Sequence, residues 1–221
     1  MSIIRKAGAV CTGCGKENEI TVYRSINTAE NPELKEKVKD GSLFLWKCPS
    51  CGQTNLMKYE TLYHDPEKHI MIWLLPDGIE MSEAQMNSIT LHAKAIGNYT
   101  LRKVSDTGSL MEKVLIADAG LDDAVIEMCK YITRMELVSK TEDKTKAGQL
   151  ASAPFHFYAL QGEESDRLIT LMYPFEGKMT GVNIGYNVYE DCEGIIKRNP
   201  HIKPGEGFEQ VDAAWLESHI R

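Results

Sequence analysis

Residues 11–15 read CTGCG, and residues 48–52 read CPSCG. Each is a Cys-x-x-Cys pair closed by glycine. Two residues between cysteines make a tight turn that aims both sulfurs at one point. Gly15 and Gly52 tolerate positive φ, and that conformation turns backbone N–H groups toward the sulfurs. Pro49 fixes φ inside the second turn. The full spacing, Cys11-x2-Cys14-x33-Cys48-x2-Cys51, makes Cys11, Cys14, Cys48 and Cys51 the candidate metal ligands. Four sulfurs complete a tetrahedron and leave no position for water or substrate, so the expected site is structural rather than catalytic. Zinc is the expected ion, one per chain, with iron as the minor alternative.

The residues between the turns predict a ribbon. Glu19–Arg24 has strand composition. Asn31-Pro32 opens a short helix, with Leu34 and Val38 on one face and Gly41 at its end. Leu43–Trp46 leads as a strand into the second turn, and Thr54–Tyr59 leads away from it. Glycine-closed turns of this kind also resemble those of rubredoxin, which hold iron. Rubredoxin, however, encloses a compact aromatic core where this chain places a helix. The ribbon is poor in apolar residues, so metal should supply much of its folding energy. Structural zinc sites contribute about 10–16 kcal/mol in small modules at neutral pH.

The chain has 221 residues, enough for one large domain or two small ones. Its formal net charge is −7, unevenly spread. Residues 1–60 carry 9 Lys and Arg against 7 Asp and Glu, and the remaining residues carry 16 against 25. That balance offers no basic field for a phosphate backbone and disfavours nucleic acid as a partner. The start, MSIIRKAGAV, lacks the apolar core of a secretory signal. The longest apolar run, Ile70–Leu75, suits a buried strand and is far too short for a bilayer. Cytoplasmic location and no membrane association are therefore expected. Paired Cys-x-x-Cys units in such a chain point to metal rather than to a disulfide framework.

Beyond the ribbon, Tyr63-His64-Asp65-Pro66 predicts a turn into the strand at 70–75, and Pro76-Asp77-Gly78 ends that strand. Ser82 and Gln85 form a capping box before a helix that closes at Gly97, and Tyr99–Val104 reads as a strand. Ser109–Glu112 is a second capping pattern, before a helix to Asp118. Asp122 and Asp123 open a longer helix with Val125, Met128, Ile132 and Met135 on its apolar face. Residues 139–152 are polar and read as a linker or exposed loop. Phe155–Leu160 and Arg167–Tyr173 predict a hairpin around Gln161–Asp166. Val182, Ile184, Tyr186 and Val188 alternate as a half-buried strand. Tyr189–Arg198 is helical, residues 199–207 are loop, and Val211–Ile220 is a terminal helix. The expected class is α+β. The expected organisation is a zinc ribbon with a helical region over 1–138, the linker at 139–152, and a β-rich unit over 153–221.

CTGCG, NPELKEKVKDGSLFLWKCPSCG, LYHDPEKHIMIWLLP and IADAGLDDAVIEMCKYI together resemble the CpXC proteins of bacteria, over roughly residues 10–137. The resemblance implies a four-cysteine metal site, which falls on Cys11, Cys14, Cys48 and Cys51. It implies no activity.

Other residue groups admit both functional and structural readings. His64, Asp65 and His69 suit a second metal site or an acid–base pair, but an Asx-type turn before a strand explains them better. Asp118, Asp122 and Asp123 offer too few oxygens for a Ca²⁺ or Mg²⁺ cage, and suit helix ends. Cys129 reads as a small core residue, and acidic neighbours should raise the pKa of Cys192. Trp46, Tyr59, Tyr63 and Trp73, with Lys16, Lys47 and Lys58, are the residues that would clamp single-stranded nucleic acid. No phosphate loop, nucleophile elbow or zinc-protease motif is present. The reading that best fits is a non-catalytic binding or scaffold protein with an unidentified protein partner. The alternatives are a nucleic-acid-binding ribbon and an enzyme whose site lies elsewhere.

Overall fold

All five residues of Ile70–Leu74 (β6) are buried, as an apolar run covered on both faces requires. The strand lies inside a five-stranded sheet of order β1-β2-β5-β6-β7, built from Ile3–Val10 (β1), Glu17–Asn27 (β2), Thr61–Asp65 (β5), β6 and Thr100–Val104 (β7). The computed structural model describes residues 2–79, 82–163 and 166–220. Antiparallel pairs β1·β2 and β5·β6 alternate with parallel pairs β2·β5 and β6·β7. Glu83–Ile96 (α2) starts at the Ser82–Gln85 capping box and lays Ala93 against Met71 and Leu101 on one face of the sheet. On the other face, Pro32–Lys39 (α1) buries Leu34 and Val38. A short hairpin, Leu45–Lys47 (β3) with Thr54–Leu56 (β4), follows a 3-10 turn at Ser42–Phe44.

These elements form one compact unit, Met1–Val114 with Gly205–Gln210. The later segment belongs there because Phe208 packs edge-on against Trp73, at 5.2 Å between ring centroids, and Lys103 N–H donates to the Glu209 carbonyl at 2.9 Å.

The second unit is Leu115–Pro204 with Val211–Arg221. Its sheet is an antiparallel meander of order β10-β9-β8: His156–Gln161 (β8), Leu168–Phe175 (β9) and Lys178–Gly185 (β10). Asp123–Lys140 (α4), Lys144–Ser152 (α5), Tyr186–Arg198 (α6) and Ala213–His219 (α7) complete it, and Thr107–Asp118 (α3) precedes α4. Ile126, Cys129, Phe155, Ile169, Leu171, Cys192 and Leu216 form its core. Phe155 stacks on Tyr173 at 4.3 Å.

The α+β class is observed, with several departures from the sequence reading. Residues 139–152 hold the end of α4 and all of α5 rather than a loop. Asp143 caps α5 by accepting from Thr145 and Lys146 N–H, and Leu150 is buried. The strand expected through Val188 stops at Gly185, and Tyr186 and Val188 pack inward from α6 instead. Met135, expected on the apolar face of α4, is exposed, and Leu137 and Val138 carry the packed face through the last turn instead. Helix α3 is opened by Asp106, which accepts from Ser109 N–H and Oγ–H, so Ser109 lies inside the helix rather than at its cap. Glu164 and Ser165, in the loop expected at Gln161–Asp166, lie outside the described residues.

Candidate metal centre

The two cysteine turns fold alike, hydrogen bond for hydrogen bond. In the first, Cys11 N–H donates to the Lys16 carbonyl and Gly15 N–H to the Cys11 carbonyl, both at 2.9 Å. In the second, Cys48 N–H donates to the Gln53 carbonyl at 2.8 Å and Gly52 N–H to the Cys48 carbonyl at 2.9 Å. Gly15 and Gly52 sit at φ of 71° and 77°, the left-handed region where a Cβ would be strained. The first turn joins β1 to β2, and the second joins β3 to β4.

Folding brings the turns together. The four Sγ atoms of Cys11, Cys14, Cys48 and Cys51 lie within 4.8 Å of one another. Two contacts run between the turns, Cys11 Sγ to Cys51 Sγ at 3.6 Å and Cys14 Sγ to Cys48 Sγ at 3.7 Å. A tetrahedron of thiolates around zinc, with Zn–S near 2.3 Å, has edges of about 3.8 Å. The donor set and its spacing therefore fit a tetrahedral metal ion, and the four cysteines can hold one.

The surroundings stabilise negative sulfur. Burial opposes ionisation of Cys11, but the Cys14 and Gly13 amides and the Asn55 side chain outweigh it and bring the thiol down to about 6. Cys48 is likewise buried, and the Cys51 and Ser50 amides lower it. At Cys51 the Gln53 amide favours the thiolate, yet burial and the neighbouring Cys11, Cys14 and Cys48 sulfurs push it up to about 12. Without a cation, four thiolates crowd one another, and a divalent ion removes that conflict.

Asn55 was not singled out from the sequence. It is buried in β4, and it joins both turns. Its Oδ1 accepts from Thr12 N–H at 2.9 Å and Thr12 Oγ1 at 2.8 Å, and its Nδ2 donates to the Gln53 carbonyl at 3.0 Å and Cys11 Sγ at 3.6 Å. Groups that orient metal ligands from behind typically contribute 10–100-fold to affinity. Asn55→Ala is therefore expected to weaken metal affinity about 10–100-fold by competition titration against a chromophoric chelator. Unchanged affinity would remove Asn55 from this role.

The other candidates do not assemble into sites. His64 and Asp65 occupy alternate faces of β5, so they point apart. His64 Nε2 meets Tyr99 Oη at 3.0 Å, whereas Asp65 receives Lys35 Nζ at 2.8 Å and Lys68 N–H at 3.2 Å. Asp65 thus holds a turn, from within a strand. His69 lies in that turn at φ 49°, with its ring 5.5 Å from Tyr99. Asp122 caps α4 by accepting from Ala124 and Val125 N–H; Asp118 ends α3 and Asp123 begins α4. Cys129 and Cys192 are both fully buried and their thiols hydrogen-bond. That bond lowers Cys192 despite its burial and the charge of Asp191, correcting the upward shift expected from its acidic neighbours.

Nor do the aromatics make a stacking platform. Tyr59, Tyr63 and Trp73 are buried, and Phe44 covers Tyr59 at 5.6 Å. Trp46 alone of the four is partly open, and Lys16, Lys47 and Lys58 are exposed. Trp46 borders a groove of about 650 Å³ beside the second turn, lined also by Lys37, Leu43, Lys47, Pro49 and Met57.

Among the described residues no helix is long and apolar enough to cross a membrane. No curated protein and no solved structure matches the chain. The family model for CpXC proteins matches residues 9–130, more than half of the chain and all four clustered cysteines. With those cysteines gathered at one point by the fold, the chain belongs to the CpXC family.

Proposed function

We propose that Cys11, Cys14, Cys48 and Cys51 hold one structural zinc ion in a zinc ribbon, and that the protein is a non-catalytic binding or scaffold protein. The observation that carries this reading is the four-sulfur cluster on two matching turns. Every ligand position is filled by the chain, so the ion has nothing left with which to activate water or substrate. Its work is mechanical. It fastens β1·β2 to β3·β4, and so fixes the wall of the groove that Trp46, Lys47 and Pro49 line. A protein segment in that groove is the partner this arrangement favours. Zinc suits the site because it accepts four soft thiolates in tetrahedral geometry without redox chemistry. All six cysteines are free thiols, which fits a reducing compartment, and we assign the protein to the cytoplasm.

Elemental analysis of protein purified without added metal is expected to give one zinc per chain. Replacement by Co²⁺ should produce the intense sulfur-to-metal absorption of a tetrahedral four-thiolate site, and Cys48→Ser should abolish it. A red protein containing one iron per chain would instead establish the rubredoxin-like alternative. An ion bound with fewer than four sulfurs would overturn the structural reading.

A further inference from the structure

Strand β1 stands at the edge of its sheet with β2 on one side. Along that pair Cys11 N–H reaches the Lys16 carbonyl, and the register continues through Ala9↔Asn18, Ala7↔Ile20 and Arg5↔Val22. Antiparallel pairing alternates, so these residues turn their backbone groups toward β2 while Ile4, Lys6, Gly8 and Val10 turn theirs outward. The edge is long and carries exposed apolar side chains: Ile4 is 53% exposed and Val10 63%. Such an edge is a template for another strand.

The chemistry along it selects the strand. Gly8 leaves a gap in the face formed by Lys6, Gly8, Glu17 and Glu19. That gap opens as a small groove of about 400 Å³, lined by Lys6, Ala7, Gly8, Glu17, Asn18 and Glu19. A Cβ on Gly8 would stand 2.9 Å from Glu17 Oε1, so the carboxylate already leans over the glycine. Glu19, directly across from Gly8, meets its own chain's Lys6 at 3.5 Å in an open contact. The groove therefore offers two carboxylates to a cation arriving opposite Gly8.

We propose that two copies of this chain pair antiparallel along β1, about a two-fold axis at Ala7, with Lys6 of each copy entering the Gly8 groove of the other. In this register Ile4 faces Val10 of the partner copy, Lys6 faces Gly8, Arg5 faces Ala9 and Ala7 faces itself. Apolar residues meet apolar ones, and no like charges stand opposed. The contact is isologous, as a two-fold axis demands. A slip of two residues toward the strand's start would set Lys6 against Lys6, which like-charge repulsion disfavours. Lysine on an edge ordinarily discourages strand addition. Here it discourages strands that bring no carboxylate groove, and admits a second copy.

Sedimentation equilibrium of the full, metal-loaded chain tests this. The unaltered protein is expected to dimerise. Lys6→Glu places carboxylates against Glu17 and Glu19 at two symmetric points and should raise the dimer dissociation constant at least about tenfold. Combining Lys6→Glu with Glu17→Lys and Glu19→Lys should restore the dimer. The metal content of each variant reports whether the β1·β2 hairpin, which carries the first cysteine turn, is still folded. A monomeric unaltered chain, or a dimer indifferent to Lys6→Glu at full metal content, would overturn the proposal.

Discussion

Chelating the metal is expected to unfold the second cysteine turn and its hairpin while leaving the central strands of the first unit in place. Strands β3 and β4 have three residues each, and both Leu45 and Leu56 are about half exposed. A two-stranded hairpin of that size has no independent stability in water. Its ladder continues one rung further, where Met57 N–H donates to the Phe44 carbonyl at 2.7 Å. Structural zinc binds with about 10–16 kcal/mol at neutral pH, far more than the hairpin's own apolar burial supplies. By contrast, Tyr63, Ile72 and Leu74 are fully enclosed in β5 and β6 and do not depend on the ion. Amide hydrogen exchange with and without chelator should show residues 45–56 losing protection and residues 61–74 keeping it. Trp46 fluorescence should shift with the first group. Cys48→Ser should reproduce the chelated pattern. Equal protection of residues 45–56 in both states would show that packing, not metal, holds the turn. Binding should also weaken as pH falls, because ligands must lose protons to bind. Cys51, pushed up to about 12 by burial and its neighbouring sulfurs when no cation is present, must lose its proton to solvent as the metal binds, whereas Cys11, already down at about 6, contributes little to this dependence near neutral pH.

The four-cysteine cluster was legible in the sequence because the geometry of each turn is local. Two intervening residues and a glycine at positive φ are enough to make each turn. What joins the turns was less legible. Asn55 is four residues past Cys51, in a segment readable only as strand, and nothing adjacent to it shows that Thr12, 43 residues earlier, will supply its donors. Its one signal is an amide at the buried position of a short strand leaving a cysteine turn. Strand β1 was missed for a different reason. Its burial follows no clear period-2 alternation, since most of Ile3–Val10 is exposed, and periodicity is the signal from which strands are read. The polar composition of residues 139–152 hid α5, although Asp143 followed by Thr145 and Lys146 is a helix-capping arrangement. Cys192 shows the same limit from the other side. Sequence displays its acidic neighbours along the chain, while the thiol that sets its ionisation comes from α4.

Removing the carboxylate of Asp65 is expected to destabilise the first unit by about 1–3 kcal/mol, because a buried acceptor of three hydrogen bonds is lost. Asp65 is 2% exposed, and the Lys35 side chain is 17% exposed. The carboxylate accepts from Lys35 Nζ at 2.8 Å, Tyr63 Oη at 3.3 Å and Lys68 N–H at 3.2 Å. Burial alone would raise its pKa, but Lys35, the Lys68 amide and Thr28 outweigh burial and hold it below the ordinary aspartate value of 3.8. A carboxyl depressed in the folded state contributes stability that is fully present above its unfolded pKa and is lost as pH falls through the folded one. The difference in stability between the unaltered protein and Asp65→Ala should thus be constant near neutral pH and shrink below about pH 4. Urea unfolding followed through Trp73, buried in the adjacent strand, measures it. Replacing both partners, as Lys35→Met with Asp65→Leu, should recover most of the loss, since an apolar pair of similar size needs no acceptor there. The pair matters to the metal because Lys35 belongs to α1, the helix between the two cysteine turns, and Asp65 belongs to the sheet on which α1 rests. Loosening that anchor frees the segment that delivers Cys48 and Cys51 to Cys11 and Cys14, so Asp65→Ala should also weaken metal binding, and the double replacement should restore it. Restored stability with metal affinity still impaired would mean that Asp65 acts on the cluster by some route other than the seating of α1.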